Sequence, residues 1–274
     1  MEFAKKQFDG PFEVVMVELP IENQMLKGIL YFPSTKFKRP YPIIIYFHGF
    51  PQLFTLQEIA RNYQYLLEEG YTLLLFNFRG YNLNDGVISI KNQVTDALKI
   101  IEFVYSMTKK QMIIKDDINL LAHDFGVYIA LILCSKINTI NKLLMINPIL
   151  DLKRHVKNNK FRETIAYINR FLPGYIKGIS DIDRFIDFTN EELVQDQFNI
   201  DFFMNKIEPR DMKVIIGEND KITPISEVER YFNSVIKHKN ISIIKDMDHE
   251  CYTEENLDHL HEEVNSFFKI NDKD

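Results

Sequence analysis

A strand-to-helix junction with an acidic residue at its centre is the clearest chemical signal in the sequence. Residues Ala122–Gly126 read Ala-His-Asp-Phe-Gly and separate an apolar run typical of a buried strand from a nearly all-apolar run typical of a buried helix. A nucleophile elbow needs small residues two positions before and after the nucleophile, because its tight turn leaves no room for side chains there. Ala122 and Gly126 are small, and Asp124 stands at the nucleophile position. Alternatively, Asp124 only caps the following helix, a common role for Asp.

Two later residues supply the partners that such a nucleophile requires. In this type of site the acid and then the histidine follow the nucleophile along the chain. Asp220 comes just after one apolar run, and His249 comes just after the last one. Asp151, which follows an earlier run, is the alternative acid. The sequence therefore predicts that Asp124, Asp220 and His249 meet in the folded protein.

Alternating strand and helix patterns must position these residues. Short apolar runs typical of buried strands alternate with amphipathic helical patterns, after an N-terminal hairpin. This order predicts an α/β fold with a mostly parallel central sheet flanked by helices, in which function gathers in the loops after the strands. The predicted strands are Val14–Val17, Leu26–Phe32, Ile43–Phe47, Thr72–Phe76, Ile118–Ala122, Leu143–Ile146, Met212–Ile216 and Ile241–Ile244.

One segment breaks the alternation. Residues 151–210 contain helical patterns rich in aromatic side chains and no convincing strand. We expect this segment to form a helical cap over the carboxyl ends of the strands, inserted into a core made of residues 1–150 and 211–274. A surface excursion without a functional role is the alternative.

Composition excludes several classes of protein. The 274 residues carry a net charge of −6 without a Lys/Arg-rich run, which argues against a nucleic-acid partner. The longest apolar run, Val127–Cys134, is far shorter than the ~18 residues of a membrane span, and the N-terminus lacks the apolar stretch of a signal peptide. Two cysteines suit a reducing compartment and cannot build a metal cluster. We therefore expect a cytoplasmic protein with a small-molecule substrate and no membrane partner, cofactor or metal; the oligomeric state is not predicted.

Over nearly its whole length the sequence resembles the α/β-hydrolase superfamily. Three motifs resemble the epoxide hydrolase and dehalogenase branches, which use an Asp nucleophile. His48–Pro51 (HGFP) is similar to their HGxP motif, Arg79–Tyr81 to their RGY motif, and His123–Gly126 (HDFG) to their HD(W/F)G motif. The resemblance implies an α/β-hydrolase fold with a helical cap.

The resemblance also implies roles for individual residues. Asp124 would be the nucleophile, His249 the base and Asp220 the residue that orients the imidazole. The backbone N–H groups of Phe50 and Phe125 would form the oxyanion hole, and we expect both to be free of intramolecular acceptors. Epoxide hydrolases protonate the opening oxygen with cap tyrosines, for which this chain offers Tyr167 and Tyr175.

Other features favour different chemistry. The chain has no Trp, whereas haloalkane dehalogenases hold the halide with a Trp beside the nucleophile. The N-terminal hairpin and the segment Asn84–Gly86 look more like serine esterases and acyl-peptidase-type relatives. A carboxylate attacking an ester carbonyl would give a high-energy mixed anhydride, whereas attack on an sp³ carbon gives an ordinary ester that water can hydrolyse.

The expected function is therefore a hydrolase that acts on a small apolar epoxide or alkyl halide through an alkyl-enzyme ester. Three alternatives remain open. Water activated by His249 could attack the substrate directly, with Asp124 as a spectator. The protein could be an esterase- or acyl-peptidase-like hydrolase in which Asp replaces the serine. It could also be a non-catalytic binding protein on the same fold.

Overall fold

A computed structural model of the chain describes residues 6–9, 11–82, 84–209, 211–233, 240–250 and 253–269. The strands are β1 (Lys6–Asp9), β2 (Phe12–Ile21), β3 (Gln24–Phe32), β4 (Tyr41–Phe47), β5 (Thr72–Phe76), β6 (Ile113–His123), β7 (Lys142–Ile146), β8 (Asp211–Gly217) and β9 (Ile241–Ile244). The helices are α1 (Leu56–Asn62), α2 (Gln64–Glu68), α3 (Ile90–Lys109), α4 (Phe125–Cys134), α5 (Leu152–His155), α6 (Asn159–Phe171), α7 (Ile182–Leu193), α8 (Ile200–Phe203), α9 (Ile225–Asn233) and α10 (Glu254–Phe268).

The described strands form one nine-stranded sheet. Their spatial order is β1-β2-β3-β5-β4-β6-β7-β8-β9. Strands β1 to β3 form an antiparallel meander that joins β5, and the six strands from β5 to β9 along the sheet are parallel. The predicted α/β fold with a mostly parallel sheet is confirmed, and the carboxyl ends of β4 to β9 share one edge.

Helices cover both faces of the sheet. The packing of strand β4 on both faces explains why residues 43–47 form an uninterrupted apolar run. Ile43, Ile45 and Phe47 pack into one core cluster with α3 and α4, whereas Ile44 packs into the other cluster with α1, α2 and α10. Side chains alternate between the faces of a strand, so a strand covered on both sides needs apolar residues at every position. All of helix α4 is buried, as its apolar sequence indicates.

The residues between β7 and β8 fold as helices α5 to α8 and a 3₁₀ turn at Met204–Lys206. Hydrogen bonds attach this helical segment (residues 151–209) to the rest of the chain: Tyr128 donates its hydroxyl to Phe198 O over 2.7 Å, and Lys177 N–H donates to Gly80 O over 2.7 Å. A single β-bridge joins Tyr81 to Ile176. Among the described residues, no helix has the length and hydropathy needed to cross a membrane.

Candidate active site

The turn between β6 and α4 places Asp124 at the edge of the sheet. Asp124 has φ 53° and ψ −121°, a strained conformation for a residue with a side chain, which costs about 1–3 kcal/mol. The turn depends on glycine at two close approaches. A Cβ on Gly126 would lie 2.3 Å from Phe47 O, and a Cβ on Gly49 would lie 2.4 Å from Asp124 Oδ2. The small-residue pattern of the sequence thus reflects backbone packed against the turn.

Asp124, His249 and Asp220 meet in the way that the sequence predicts. His249 Nε2 lies 3.2 Å from Asp124 Oδ1, and His249 Nδ1 lies 2.8 Å from Asp220 Oδ2. The second oxygen of Asp220 accepts the backbone N–H groups of Ile222 and Thr223 over 2.8 and 2.9 Å, which fixes the carboxylate. Asp151 is the N-cap of α5 instead, and its Oδ1 accepts the N–H of Arg154.

The histidine of this group is positively charged at neutral pH. Burial disfavours its charge, but hydrogen bonds to Asp124 and Asp220 outweigh burial and raise the pKa of His249 from 6.5 to about 10. Burial also favours the neutral form of Asp124, but the bond to His249 outweighs it and lowers the pKa of that carboxyl. The site therefore holds an imidazolium between two carboxylates.

Phe50 and Phe125 flank Asp124, but their N–H groups differ. Phe50 N–H donates to Asp124 Oδ2 over 2.6 Å, so the expectation that both groups are free is wrong for Phe50. The physical reason is that a carboxylate has a second oxygen, which reaches the place where an oxyanion would bind. Phe125 is the first residue of α4, and its N–H has no acceptor among the hydrogen bonds of the described residues.

Two other motif residues hold loops in place. His48 is buried, which lowers its pKa to about 4, and the neutral ring donates from Nδ1 to Gly49 O and accepts Phe78 N–H at Nε2. Arg79 is also buried, and its guanidinium pairs with Asp96 over 2.6 Å and with Glu22 over 2.9 Å. These contacts shape the loops after β4 and β5.

Sequence reasoning missed Asn147, which follows β7. Its side chain donates to His249 O over 2.7 Å and accepts Gly217 N–H over 3.1 Å. Asn147 thereby ties the loop of His249 to the end of β8, which leads to Asp220. The available signal in the sequence was a polar residue, Asn147, directly after the apolar strand Leu143–Ile146.

A pocket lies between the sheet edge and the helical segment. Apolar side chains dominate its lining, with Ser89, His155 and Thr189 as the polar members. The lining residues are Phe50, Ile88, Ser89, Ile90, Phe125, Ile149, Leu152, His155, Val156, Phe161, Phe185 and Thr189. Phe50, which donates its N–H to Asp124, and Phe125, which follows Asp124 in the chain, belong to this lining, whereas Asp124 and His249 do not.

The two tyrosines proposed as cap acids do not line this pocket. Tyr167 is 58% exposed and its ring packs on Phe171, which is also exposed. Tyr175 donates its hydroxyl to Leu53 O over 3.3 Å. The helical pattern of the sequence did not reveal which face of α6 turns inward, and Tyr167 lies on its exposed face, whereas Tyr175 lies beyond the end of α6.

The described residues contain no group of three His, Cys, Asp or Glu side chains arranged to hold a metal ion. Cys134 is buried in α4, where burial raises its pKa to about 12. Cys251 lies outside the described residues.

Comparison with known proteins agrees with this architecture. A family model described as the alpha/beta hydrolase fold matches residues 42–173. The esterase PF2001 of Pyrococcus furiosus superposes with a TM-score of 0.66 over 94% of this chain and 91% of its own, at 18% identity. This chain has the α/β-hydrolase fold. The predicted fold is confirmed.

The chain spans less than half the length of two further proteins that it resembles. It is 24% identical over 143 residues to the lysophosphatidylserine lipase ABHD12 of Danio rerio, a match that covers 51% of this chain and 35% of that lipase. An acylaminoacyl peptidase of Pyrococcus horikoshii superposes with a TM-score of 0.65 at 15% identity, over 95% of this chain and 41% of its own. These relatives favour the esterase-like features of the sequence and give no support to an epoxide hydrolase or dehalogenase branch.

Proposed function

We propose that the protein hydrolyses a small apolar substrate, an epoxide or alkyl halide, through an alkyl ester formed on Asp124. The observation that carries this proposal is the arrangement of the Asp124 carboxylate. Oδ2 accepts Phe50 N–H, Oδ1 faces His249, and an apolar pocket adjoins them. A carboxylate held in this way is a competent nucleophile towards an sp³ carbon.

The first step uses the ionised form of Asp124. Because the bond to His249 lowers its pKa, the carboxyl is an anion at neutral pH. Its Oδ1 attacks the substrate carbon, the bond to the leaving group breaks, and the electron pair departs with the leaving group. The product is an ester in which Asp124 no longer carries a charge.

The loss of that charge prepares the second step. Only Asp220 then stabilises the imidazolium, so the pKa of His249 falls, the ring releases its proton to solvent, and the neutral ring can accept a proton from the attacking water. Hydroxide attacks Cγ of Asp124, and negative charge develops on Oδ2. Phe50 N–H, which already donates to Oδ2, would stabilise this charge, and Phe125 N–H is the proposed second donor. Collapse expels the alcohol, which takes the proton from His249, and leaves a water oxygen in the carboxylate.

The esterase-like alternative fits this charge distribution less well. Direct attack of water on an ester needs neutral His249 while Asp124 is still ionised, and the two carboxylates keep the ring protonated in that state. Attack of Asp124 itself on an ester would produce a mixed anhydride. The esterase and lipase relatives are the argument for this alternative.

Trapping the ester tests the proposal. The His249→Gln variant should form the ester and hydrolyse it slowly, so incubation with styrene oxide or 2-phenylethyl bromide should add the alkyl mass to the peptide that contains Asp124. Wild-type enzyme in heavy-oxygen water should place the label in Asp124 during a single turnover. Asp124→Ala is the control and should gain no mass.

Three outcomes would contradict the proposal. Label that passes directly into the product would establish direct attack by water. Turnover of p-nitrophenyl butyrate without any alkylation of Asp124 would favour the esterase-like alternative. No reaction with any of these probes would favour a binding protein.

A further inference from the structure

Exposed apolar side chains form a patch that spans helix α6 and the loop after β4. Tyr167 and Phe171 lie one turn apart on α6, with 4.6 Å between their ring centroids, and Phe171 is 56% exposed. In the loop after β4, Phe54 is 62% exposed. A soluble surface rarely groups large apolar side chains, and such a group marks a contact with another molecule or a membrane. The apolar patch consists of Leu53, Phe54, Tyr167, Phe171 and Leu172.

Tyr175 joins the two parts of the apolar patch. Its backbone N–H donates to Leu172 O over 3.0 Å, just beyond the end of α6. Its hydroxyl donates to Leu53 O over 3.3 Å, in the loop after β4. The two hydrogen bonds hold the end of α6 against that loop, so the apolar patch is continuous.

The part of the helical segment that bears this patch is basic, although the protein is acidic. Residues 151–177 contain seven Lys and Arg residues and two acidic residues, a net charge of +5, whereas the whole chain carries −6. The rest of the helical segment, residues 178–209, carries −6. Positive charge is therefore concentrated around α6.

Some of these cations are already neutralised within the fold. Arg154 pairs with Glu227, Arg162 with Asp183, and Lys177 with Asp85. Four others are exposed and form no ion pair with any residue that the structure describes: Lys153, Lys157, Lys160 and Arg170.

The unpaired cations lie beside the aromatic rings. Lys160 is 7 and 11 residues before Tyr167 and Phe171, a spacing that places all three on one face of α6. The guanidinium of Arg170 lies over the ring of Phe171, 5.1 Å from its centroid. One exposed helix face thus combines aromatic rings with positive charge.

This combination favours a membrane over a protein as the partner. Protein–protein interfaces are depleted in Lys, whereas helices that lie on anionic membranes carry Lys and Arg on their polar face and aromatic residues on the other. Lys and Arg can also extend along an apolar surface while their charged ends reach the headgroups. The earlier expectation of no membrane partner depended on the lack of a membrane-spanning run, and a peripheral contact needs no such run.

We propose that the apolar patch and the cations beside it dock the protein on a membrane surface that carries anionic lipid headgroups. The side chains of the patch enter the boundary between headgroups and acyl chains, and Lys157, Lys160 and Arg170 contact lipid phosphates. This inference does not depend on the proposed function, because it uses neither Asp124 nor the pocket.

Vesicle flotation tests the docking. Wild-type protein should bind vesicles made of equal parts phosphatidylcholine and phosphatidylglycerol, release them at high salt, and bind vesicles of phosphatidylcholine alone far more weakly. Lys160→Gln should weaken binding to the mixed vesicles about fivefold, the usual contribution of one cation near an anionic surface. Phe171→Ser should weaken it about tenfold or more, because an aromatic ring no longer leaves water.

Matched controls come from outside the patch. Phe202→Ser removes a ring of α8 that is 52% exposed in the acidic part of the helical segment, and Lys109→Gln removes an exposed cation at the carboxyl end of α3. Both should bind the mixed vesicles as wild type does. Because all four side chains are exposed, these substitutions leave the packing of the core intact.

Several results would overturn the inference. Wild-type protein that does not float with the mixed vesicles, or floats equally well with phosphatidylcholine alone, would reject docking on an anionic surface. Equal losses in Phe171→Ser and Phe202→Ser would remove the apolar patch from the contact. Self-association of wild-type protein in analytical ultracentrifugation that disappears in Phe171→Ser would assign the patch to a second copy of the chain instead.

Discussion

Asp124 brings to the elbow two things that a serine cannot: a second oxygen and a full negative charge. The second oxygen already binds Phe50 N–H, so in the proposed mechanism the position of the oxyanion is defined before substrate binds. The negative charge of Asp124 raises the pKa of His249 and keeps its ring protonated. In the proposed mechanism Asp124 thus determines when His249 becomes a base, because the ring loses this charged partner when the ester forms.

Substitution of Asp124 by Asn tests this coupling. Asn imitates the uncharged ester. In this variant mainly Asp220 offsets the energetic cost of burying the imidazolium, so the pKa of His249 should fall well below 10. An NMR titration of the imidazole ring measures it directly. Asp151→Asn is the matched control and should leave the value near 10, because Asp151 caps α5 and does not contact His249. Equal values in wild type and Asp124→Asn would contradict the coupling.

At the level of elements, a carboxylate joins the helical segment to the core. Glu192 of α7 is buried, and its two oxygens accept the N–H groups of Ile90 and Lys91 at the start of α3 over 2.9 and 2.8 Å. The first N–H groups of a helix lack intrahelical partners, and its N-terminus favours negative charge. This contact fixes α7, which supplies Phe185 and Thr189 to the pocket.

Loss of that carboxylate should loosen the helical segment. We expect Glu192→Ala to lower the free energy of unfolding by about 1–3 kcal/mol, since the buried N–H of Ile90 and the partly buried N–H of Lys91 lose a charged acceptor. Limited proteolysis should cut residues 151–209 faster than in wild type. Glu191→Ala, at the exposed neighbouring position, is the control. Identical cleavage rates in the two variants would show that Glu192 does not hold the segment.

The sequence predicted those parts of the site that depend on local pattern. The elbow was recognisable because small residues mark it, and Asp220 and His249 because each follows an apolar strand. Strand β6 begins earlier than predicted, at Ile113, since the polar residues Lys115–Asp117 interrupt its apolar run. Asn147 and Glu192 were missed because their roles depend on contacts between residues far apart in the chain, which periodicity does not encode.

For the molecule as a whole, the buried imidazolium links stability to pH. The folded protein keeps the proton of His249 up to about pH 10, whereas the unfolded chain loses it near 6.5. Between these values the folded state binds more protons than the unfolded state. The contribution of His249 to the free energy of unfolding is therefore complete below about pH 6.5 and is lost as the pH rises to about 10.

A series of urea unfolding curves tests this linkage. Between pH 6.5 and 10, wild-type protein should lose stability more steeply than His249→Gln, which has no proton to bind at this position. His259→Gln, an exposed histidine of α10, should behave as wild type. Parallel pH profiles for wild type and His249→Gln would contradict a raised pKa in the folded state.

The contact between Phe50 N–H and Asp124 Oδ2 has a consequence for chemical labelling. Fluorophosphonate reagents detect serine hydrolases by phosphorylating a hydroxyl while an anionic oxygen settles against two backbone N–H groups. In this protein the elbow offers no hydroxyl, and a carboxylate oxygen already occupies one of those donors. A survey with such reagents should not label this protein, whereas under the proposed function a small reporter-tagged epoxide should label it.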